Sequence, residues 1–211
     1  MEVLIETMFQ IIVSYRAFAT RANYKRQKLM EVKQSKITTP TGGQATTVQY
    51  AGSFEYQSNP SGQYELQFIA QPEGYITPHG LAGQTSYRYV YQYKDHLGNT
   101  RLTYADQDAT AAISLAIIEE DNYYEFGMKH EGYNNIISSL GNSRAQKFMY
   151  NGIELQDEFG LNLYDYGARF YDPAIGRWNG TDPLASKYSS WSSYVYCLNN
   201  PVVFVDHDGK E

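Results

Sequence analysis

Alternation of apolar and polar side chains is the dominant pattern of the chain from residue 52 onward. Residues 52–57 alternate, residues 58–62 hold the turn-forming sequence Ser-Asn-Pro-Ser-Gly, and residues 64–69 alternate again. This arrangement predicts a β-hairpin, because successive side chains of a strand point to opposite faces. Further along, tyrosine occupies every second position, at Tyr87, Tyr89, Tyr91 and Tyr93. We expect a strand there, with four tyrosine rings on one face.

The first 36 residues have a different pattern. Their apolar side chains recur at steps of three and four, at Leu4, Ile5, Met8, Phe9, Ile12 and Val13. This spacing predicts an amphipathic α-helix, followed by a basic stretch from Arg16 to Lys28. Such a helix could dock on a membrane or a partner. The favoured interpretation is a helical lead-in, that is, an N-terminal segment that packs on the following β region or frays. We therefore expect residues 1–37 to form a basic helical lead-in.

An aspartate followed three residues later by glycine recurs in the β region, at 95–98, 157–160 and 206–209, with a looser version at 172–176. Aspartate bonds the backbone two residues on, and glycine supplies the positive φ that closes a turn. Aromatic residues flank these turns and can pair across strands. The pattern predicts a degenerate β-hairpin repeat of roughly 20 residues.

The amino-acid composition limits the fold class and the kinds of partner that the chain can bind. The 211-residue chain is 42% hydrophobic and holds 21 tyrosines, which suits a mainly β protein with a core. Residues 1–36 carry seven Lys/Arg against three Glu, whereas residues 37–211 carry ten Lys/Arg against twenty Asp/Glu. The acidic body argues against nucleic-acid binding. The single Cys197 excludes an internal disulfide, and the interrupted apolar run at 3–13 predicts neither a signal peptide nor a membrane span.

Aromatic residues and turn-forming residues are most concentrated at residues 160–178, with the sequence Gly-Leu-Asn-Leu-Tyr-Asp-Tyr-Gly-Ala-Arg-Phe-Tyr-Asp-Pro-Ala-Ile-Gly-Arg-Trp. Further characteristic segments are residues 94–101, 150–155, 181–185 and 194–201. On these segments the chain resembles, from Tyr93 to Gly209, the RHS/YD-repeat family, specifically an RHS repeat-associated core of the Bacteroidetes type. Residues 38–92 then correspond to degenerate YD-like strands and residues 93–211 to the core.

The resemblance implies a fold of Tyr-rich antiparallel β-hairpins that wind into a long curved sheet, here with the N-terminal α-helix in front. In the family the sheet closes as a hollow shell, and the core plugs one end. The implied partners are other RHS/YD repeats or a C-terminal effector in a parent protein, and a surface or immunity partner. The family suggests secretion or a cell-surface location, and no cofactor is expected.

The resemblance also implies an aspartyl autoprotease that cuts just after the final Asp-Pro-x-Gly motif. Carried over to this chain, its carboxylates are Asp182 and Asp206, with Arg169 orienting the site or balancing its charge. Two close carboxylates can share a proton, so that one acts as base and the other as acid. The structural alternative is that both aspartates form turns and that Arg169 pairs with a carboxylate.

The expected function is a structural shell or plug fragment of a polymorphic-toxin or cell-surface protein, without its own cargo. The final motif has His207 and Lys210 where the family has Pro and often Leu, and Glu211 lies one residue beyond the expected cleavage point. Proteolysis is therefore expected to be vestigial, with an active autoprotease as the alternative. A further alternative is an adhesion or carbohydrate-binding module that uses Trp178 and Trp191. The four histidines have no metal-ligand spacing, so no metal site is predicted.

Overall fold

The structure, a computed structural model, describes residues 10–18, 30–80, 86–107, 114–132, 135–136 and 138–210. Its regular elements are antiparallel β-strands and short 3-10 turns, which confirms the mainly β class. Two compact units divide the chain, residues 1–69 and residues 70–211. The three-part division at residues 37 and 92 remains a prediction from the sequence.

The first unit is built from hairpins in chain order. Its strands are β1 (Gln10–Phe18), β2 (Met30–Thr39), β3 (Thr46–Ala51), β4 (Phe54–Ser58) and the start of β5 (Tyr64–Gln71). Each strand pairs antiparallel with the next one. The hairpin expected over residues 52–69 is therefore present as β4 and β5. Val48 and Phe68 are buried in this unit.

The expected N-terminal helix is wrong for the part of the chain that the structure describes. Residues 10–18 and 30–39 form β1 and β2, which pair over their whole length with one irregularity after Ser14. The run Ile11-Ile12-Val13 explains the difference, because β-branched side chains restrict a helix and favour a strand. The rest of the predicted helix, at residues 1–9 and 19–29, lies outside the described residues.

The second unit begins with another series of consecutive antiparallel strands. These are β6 (Gly74–His79), β7 (Ser86–Lys94), β8 (Thr100–Asp106), β9 (Leu115–Glu120) and β10 (Asn135–Ile136). The β7–β8 turn has the predicted chemistry: Asp95 Oδ1 accepts hydrogen bonds from the backbone N–H groups of Leu97 and Asn99, both at 3.0 Å. Gly98 supplies a φ of 83°. Tyr87, Tyr91 and Tyr93 are exposed on their strand.

A small sheet follows in the same unit. Its strands are β11 (Leu155–Gln156), β12 (Leu163–Asp165), β13 (Phe170–Asp172) and β14 (Arg177–Trp178), each paired antiparallel with the next. Short 3-10 turns occur at Ala145–Lys147, Tyr150–Gly152, Glu158–Gly160, Ala185–Lys187 and Cys197–Asn199. These strands hold two or three residues each, too few to be stable alone. Their stability therefore depends on the side chains packed between them.

An aromatic cluster provides that packing. It consists of Tyr150, Tyr164, Tyr166, Tyr171, Trp178, Tyr196 and Cys197, all buried. Most ring pairs meet at tilted or edge-to-face angles, while Tyr150 and Tyr171 are stacked, and the closest centroids, those of Tyr171 and Tyr196, are 4.1 Å apart. Asn151 Oδ1 accepts hydrogen bonds from the hydroxyls of Tyr166 at 2.8 Å and Tyr196 at 2.9 Å. The two hydroxyls also lie 3.1 Å from one another, so both buried phenols have hydrogen-bond partners in this core.

Candidate functional site

Arg169 is the centre of the candidate site. It lies just before β13, and its side chain is 2% exposed. Its Nε donates a hydrogen bond to the carbonyl oxygen of Gly209 at 2.6 Å, and its guanidinium lies 4.2 Å from the ring centre of Trp178. The small sheet and the aromatic cluster therefore fix the position of this cation, while its charge faces the end of the chain.

The structure brings the three sequence-predicted residues together. Arg169 Nη1 lies 3.7 Å from Asp182 Oδ2, and Nη2 lies 3.6 Å from Asp206 Oδ2. The Asp206 side chain is 1% exposed and that of Asp182 is 14% exposed. One buried guanidinium thus lies within ion-pair distance of two carboxylates that are 24 residues apart in sequence.

Both aspartates also form the turns expected of them. Asp206 Oδ1 accepts backbone N–H groups from Asp208 at 3.0 Å, Gly209 at 2.7 Å and Lys210 at 3.3 Å. Asp182 Oδ1 accepts the N–H of Leu184 at 2.6 Å. In each aspartate one oxygen is used by a turn and the other faces Arg169. The turn interpretation and the site interpretation are therefore compatible.

The conformation of the final turn is fixed by Gly209. Its φ is 73°, a region that favours glycine. A Cβ built there would lie 3.0 Å from the backbone nitrogen of Arg169. The close approach allowed by this glycine is what places its carbonyl on the Arg169 guanidinium.

Burial and ionic neighbours act in opposite directions on Arg169. Burial lowers the pKa of its guanidinium, and the charges of Asp182, Asp206 and Asp208 partly offset that effect. Arg169 Nη2 is buried and makes no hydrogen bond, although it lies within ion-pair distance of Asp206. The guanidinium therefore retains a donor directed toward the carboxylates.

The two carboxylates border a cavity of about 320 Å³. Its other walls are mostly apolar and come from residues 185–205, including Tyr188, Trp191, Val195, Cys197, Leu198 and Phe204. Tyr188, Trp191 and Phe204 are about half exposed, so aromatic rings form the rim. The cavity has room for a side chain or several water molecules beside the carboxylates.

The thiol of Cys197 also borders this cavity but is not activated. Burial raises its pKa to about 11. A thiol acts as a nucleophile only as the thiolate, which a raised pKa makes scarce at neutral pH. Cys197 is buried in the aromatic cluster, as expected of a small apolar residue.

Sequence reasoning missed several contacts of the site. The carbonyl of Ser193 accepts a hydrogen bond from Arg169 Nη1 at 3.4 Å, and Trp178 covers the guanidinium. No residue type at 193 could signal this, because the contact uses the backbone. The idea of a sugar platform from Trp178 and Trp191 is wrong for Trp178, which is 2% exposed.

Asp172 and the described histidines add nothing to this site. Asp172 forms its own turn, accepting the N–H of Ala174 at 2.9 Å, and borders a different cavity. Among the described residues, no group of three His, Cys, Asp or Glu side chains is placed to hold a metal. Within the same ranges, no helix is long and apolar enough to cross a membrane.

Comparison with known proteins gives partial matches. No family model matches the chain. It is 36% identical to salivary gland surface protein 1 of Aedes aegypti over 117 residues, 55% of this chain and 3% of that protein. It is 25% identical to toxin subunit YenC1 of Yersinia entomophaga over 202 residues, 89% of this chain and 19% of that protein. The chain thus spans a small part of the length of both relatives.

A solved structure extends the likeness to the fold. The crystal structure of TcdB2-TccC3-Cdc42 matches 94% of this chain and 10% of the solved chain, with a TM-score of 0.62 and 23% identity. The chain therefore has the fold of that part of the TcdB2-TccC3 structure. Together with the YenC1 match, this supports the RHS-like resemblance in its general form. The assignment to a Bacteroidetes-type core remains a prediction from the sequence.

Proposed function

We propose that this chain is a shell or plug segment of an RHS-type toxin or cell-surface protein, with residues 93–211 as its Bacteroidetes-type core. The structural likeness to TcdB2-TccC3 is the observation that carries the proposal, because it spans 94% of the chain. The likeness to toxin subunit YenC1, over 89% of the chain, agrees with it. The role is structural: the chain contributes strands and a packed end module, and chemistry at the Arg169 site is secondary.

The strand pattern fits such a role. Consecutive antiparallel strands joined by short turns can be extended by further copies of the same unit. Large apolar side chains remain exposed on β7 and over residues 188–204, as expected of a surface that contacts further repeats. The proposed partners are therefore other YD-type strands or a C-terminal effector of a parent protein, with a surface or immunity protein outside it.

A chimera tests the structural role. This chain replaces the matching tenth of the solved chain in the TcdB2-TccC3 structure, and the resulting assembly is imaged by electron microscopy. We expect particles of the same shape as those of the unaltered assembly, because the fold is shared. As a matched control, the same region is replaced by a β-domain of similar length and different topology. We expect the control to give open or collapsed particles. The same result from this chain would contradict the shell role.

A second candidate function is aspartyl autoproteolysis, favoured by the convergence of Arg169, Asp182 and Asp206. In this mechanism one carboxylate activates water and the other protonates the leaving amine. Arg169 holds the carbonyl of Gly209 with its Nε, so the backbone of the final motif is anchored at the site. A guanidinium placed near the backbone of the final motif can stabilise the oxyanion that forms on attack.

The present arrangement has Arg169 within ion-pair distance of both carboxylates. A shared proton needs the two carboxyls in direct contact or bridged by a water. The cavity beside them has space for that water. Proteolysis therefore requires a bridging water or a shift of one carboxylate past the guanidinium, whereas the structural role requires neither.

A reporter domain fused after Glu211 separates the two functions. An active protease releases the reporter, and both Asp182→Asn and Asp206→Asn abolish the release. Asp172→Asn is the matched control, because Asp172 forms a similar turn away from the cluster. An intact reporter in the parent fusion would remove the protease hypothesis and leave the shell role unaffected.

A further inference from the structure

A second group of titratable side chains lies at the end of β9, apart from the Arg169 site. Glu119 lies in β9 and Asp121 directly after it, so both point to the same side of the chain. Lys129 approaches from the other side of a turn closed by a backbone hydrogen bond from Gly127 to Tyr124. An isolated β-bridge between Tyr123 and Lys129 fixes the two arms of this hairpin relative to one another.

The lysine nitrogen contacts both carboxylates. Lys129 Nζ donates a hydrogen bond to Glu119 Oε1 at 3.1 Å and lies 2.5 Å from Asp121 Oδ1. The second contact lacks hydrogen-bond geometry, since Asp121 Oδ1 is buried and has no hydrogen-bond partner. The amine is thus held against the carboxyl of Asp121 while its hydrogen bond goes to Glu119.

The carboxylates of this triad are buried beside aromatic rings, whereas the Lys129 side chain is 29% exposed. The side chains of Glu119 and Asp121 are 5% and 2% exposed. The charge of Asp121 raises the pKa of both Tyr123 and Tyr164, after the larger effect of their burial. Burial and the charge of Asp121 raise the pKa of Glu119 as well. In such surroundings separated, unpaired charges are unfavourable, which favours direct contact between the amine and the carboxylates.

We propose that Lys129 and Asp121 are joined by an isopeptide bond whose formation Glu119 promotes by proton transfer. The reactants are the free amine of Lys129 and the protonated carboxyl of Asp121. They differ from the ion pair only in that one proton has moved from Nζ to the carboxylate. Nζ attacks Cγ of Asp121, and Glu119 takes a proton from the nitrogen. Glu119 then returns that proton to the departing hydroxyl, which leaves as water while the amide remains.

Position and access support this step. An amine and a carboxyl held in contact react as an intramolecular pair, with a large gain in effective concentration. A cavity of about 630 Å³ bordered by Glu119 and Lys129 gives the water a way out. In the ion pair, the two carboxylates outweigh burial and raise the pKa of Lys129. The ammonium therefore first passes a proton to the Asp121 carboxylate, and Glu119 then takes the proton that the nitrogen loses on attack.

Intact-mass measurement of the purified chain tests the proposal. The expected mass is lower than the sequence mass by one water, and the deficit persists in denaturant. Trypsin then leaves the bond after Lys129 uncut and gives one peptide, residues 102–144, that lacks one water. This peptide distinguishes the cross-link from a succinimide at Asp121, which also loses water but leaves Lys129 free for cleavage.

Three variants and an internal control complete the test. Lys129→Arg keeps the charge but cannot form the bond, and Asp121→Ala removes the acceptor, so both have the full sequence mass. Glu119→Gln slows bond formation about 100-fold or more, the effect of losing one general acid–base group. Lys147 is the control within the chain, because it contacts an Asp157 side chain that is 45% exposed. Full mass in the parent chain, or cleavage after Lys129 as fast as after Lys147, overturns the proposal.

Discussion

Arg169 lies over the indole of Trp178, with 4.2 Å between the guanidinium carbon and the ring centre. Trp178 is 2% exposed and belongs to the aromatic cluster, so the cation of the candidate site rests directly on the core of its module. A cation over an indole is favourable, more so when both are removed from water. The candidate site and the packing of the C-terminal module are therefore one structural unit.

Removal of the Arg169 charge is expected to destabilise the chain. Arg169→Met leaves two carboxylates without their cation, and breaking a buried ion pair costs about 3–5 kcal/mol. Chemical denaturation measures the loss in the free energy of unfolding. Arg177→Met is the control, since the Arg177 side chain is exposed at the start of β14 and its loss should change stability by less than about 0.5 kcal/mol. Adding Asp206→Asn to Arg169→Met should recover part of the loss; an additive double variant would mean that the two residues do not interact.

Gly127 is expected to be intolerant of a side chain, for reasons of space as well as conformation. Its φ is 83°, and a Cβ there would lie 2.6 Å from the ring of Tyr150. Gly132 has a similar φ of 80° with nothing within 4 Å of its Cβ position. Gly132→Ala should cost about 1 kcal/mol for the backbone alone, and Gly127→Ala a further 1–3 kcal/mol, roughly, for displacing the ring. Equal losses in thermal or urea unfolding would contradict this packing.

Local turn chemistry is the part of the fold that could be predicted from the sequence. The Asp-Gly spacing at 95–98 and 206–209 gave turns in which the aspartate accepts backbone N–H groups, because this chemistry is contained within four residues. The helix expected at the N-terminus was wrong over β1 and β2, since these two segments pair with one another as strands despite the three-to-four spacing of their apolar residues. Pairing partners cannot be found from the periodicity of one segment.

The candidate site was predicted as a set of residues, and the structure adds their geometry. Arg169, Asp182 and Asp206 could be named from the resemblance, but the 3.6 and 3.7 Å ion-pair distances depend on how three separate loops pack. The role of Asn151 was not predicted, because an asparagine in a turn gives no signal that its side chain accepts two tyrosine hydroxyls. Such contacts depend on tertiary structure alone.

Cys197 is expected to react slowly with thiol reagents in the folded chain. Its pKa is raised to about 11 by burial, and the side chain is 6% exposed. At near-neutral pH, labelling should be at least about 100-fold slower than in denaturant, where the thiol has an ordinary pKa. The chain has one cysteine, so bulk labelling reports this site alone. Comparable rates in the two states would mean that the Cys197–Asn199 turn opens readily.

Stability is expected to fall steeply at alkaline pH because of the buried tyrosines. Burial raises the pKa of Tyr75 and of Tyr150 to about 12, from 10.0. Below pH 10 both phenols are neutral in the folded and unfolded states, so they give no pH dependence there. Between pH 10 and 12 the unfolded chain loses these protons and the folded chain retains them, which favours unfolding. Each such tyrosine then costs about 1.4 kcal/mol per pH unit.

The test follows the free energy of unfolding by urea denaturation from neutral to alkaline pH, with phenolate absorbance as a second readout. Tyr150→Phe removes one titrating hydroxyl and should reduce the slope above pH 10 by about one proton's contribution. Tyr87→Phe is the matched control, because Tyr87 is 58% exposed and its hydroxyl is open to solvent in both states. The hydrogen bond from the Tyr150 hydroxyl to the Glu125 carbonyl indicates that this hydroxyl is held in the core. If both variants have the slope of the parent chain, Tyr150 ionises in the folded protein, which would contradict that placement.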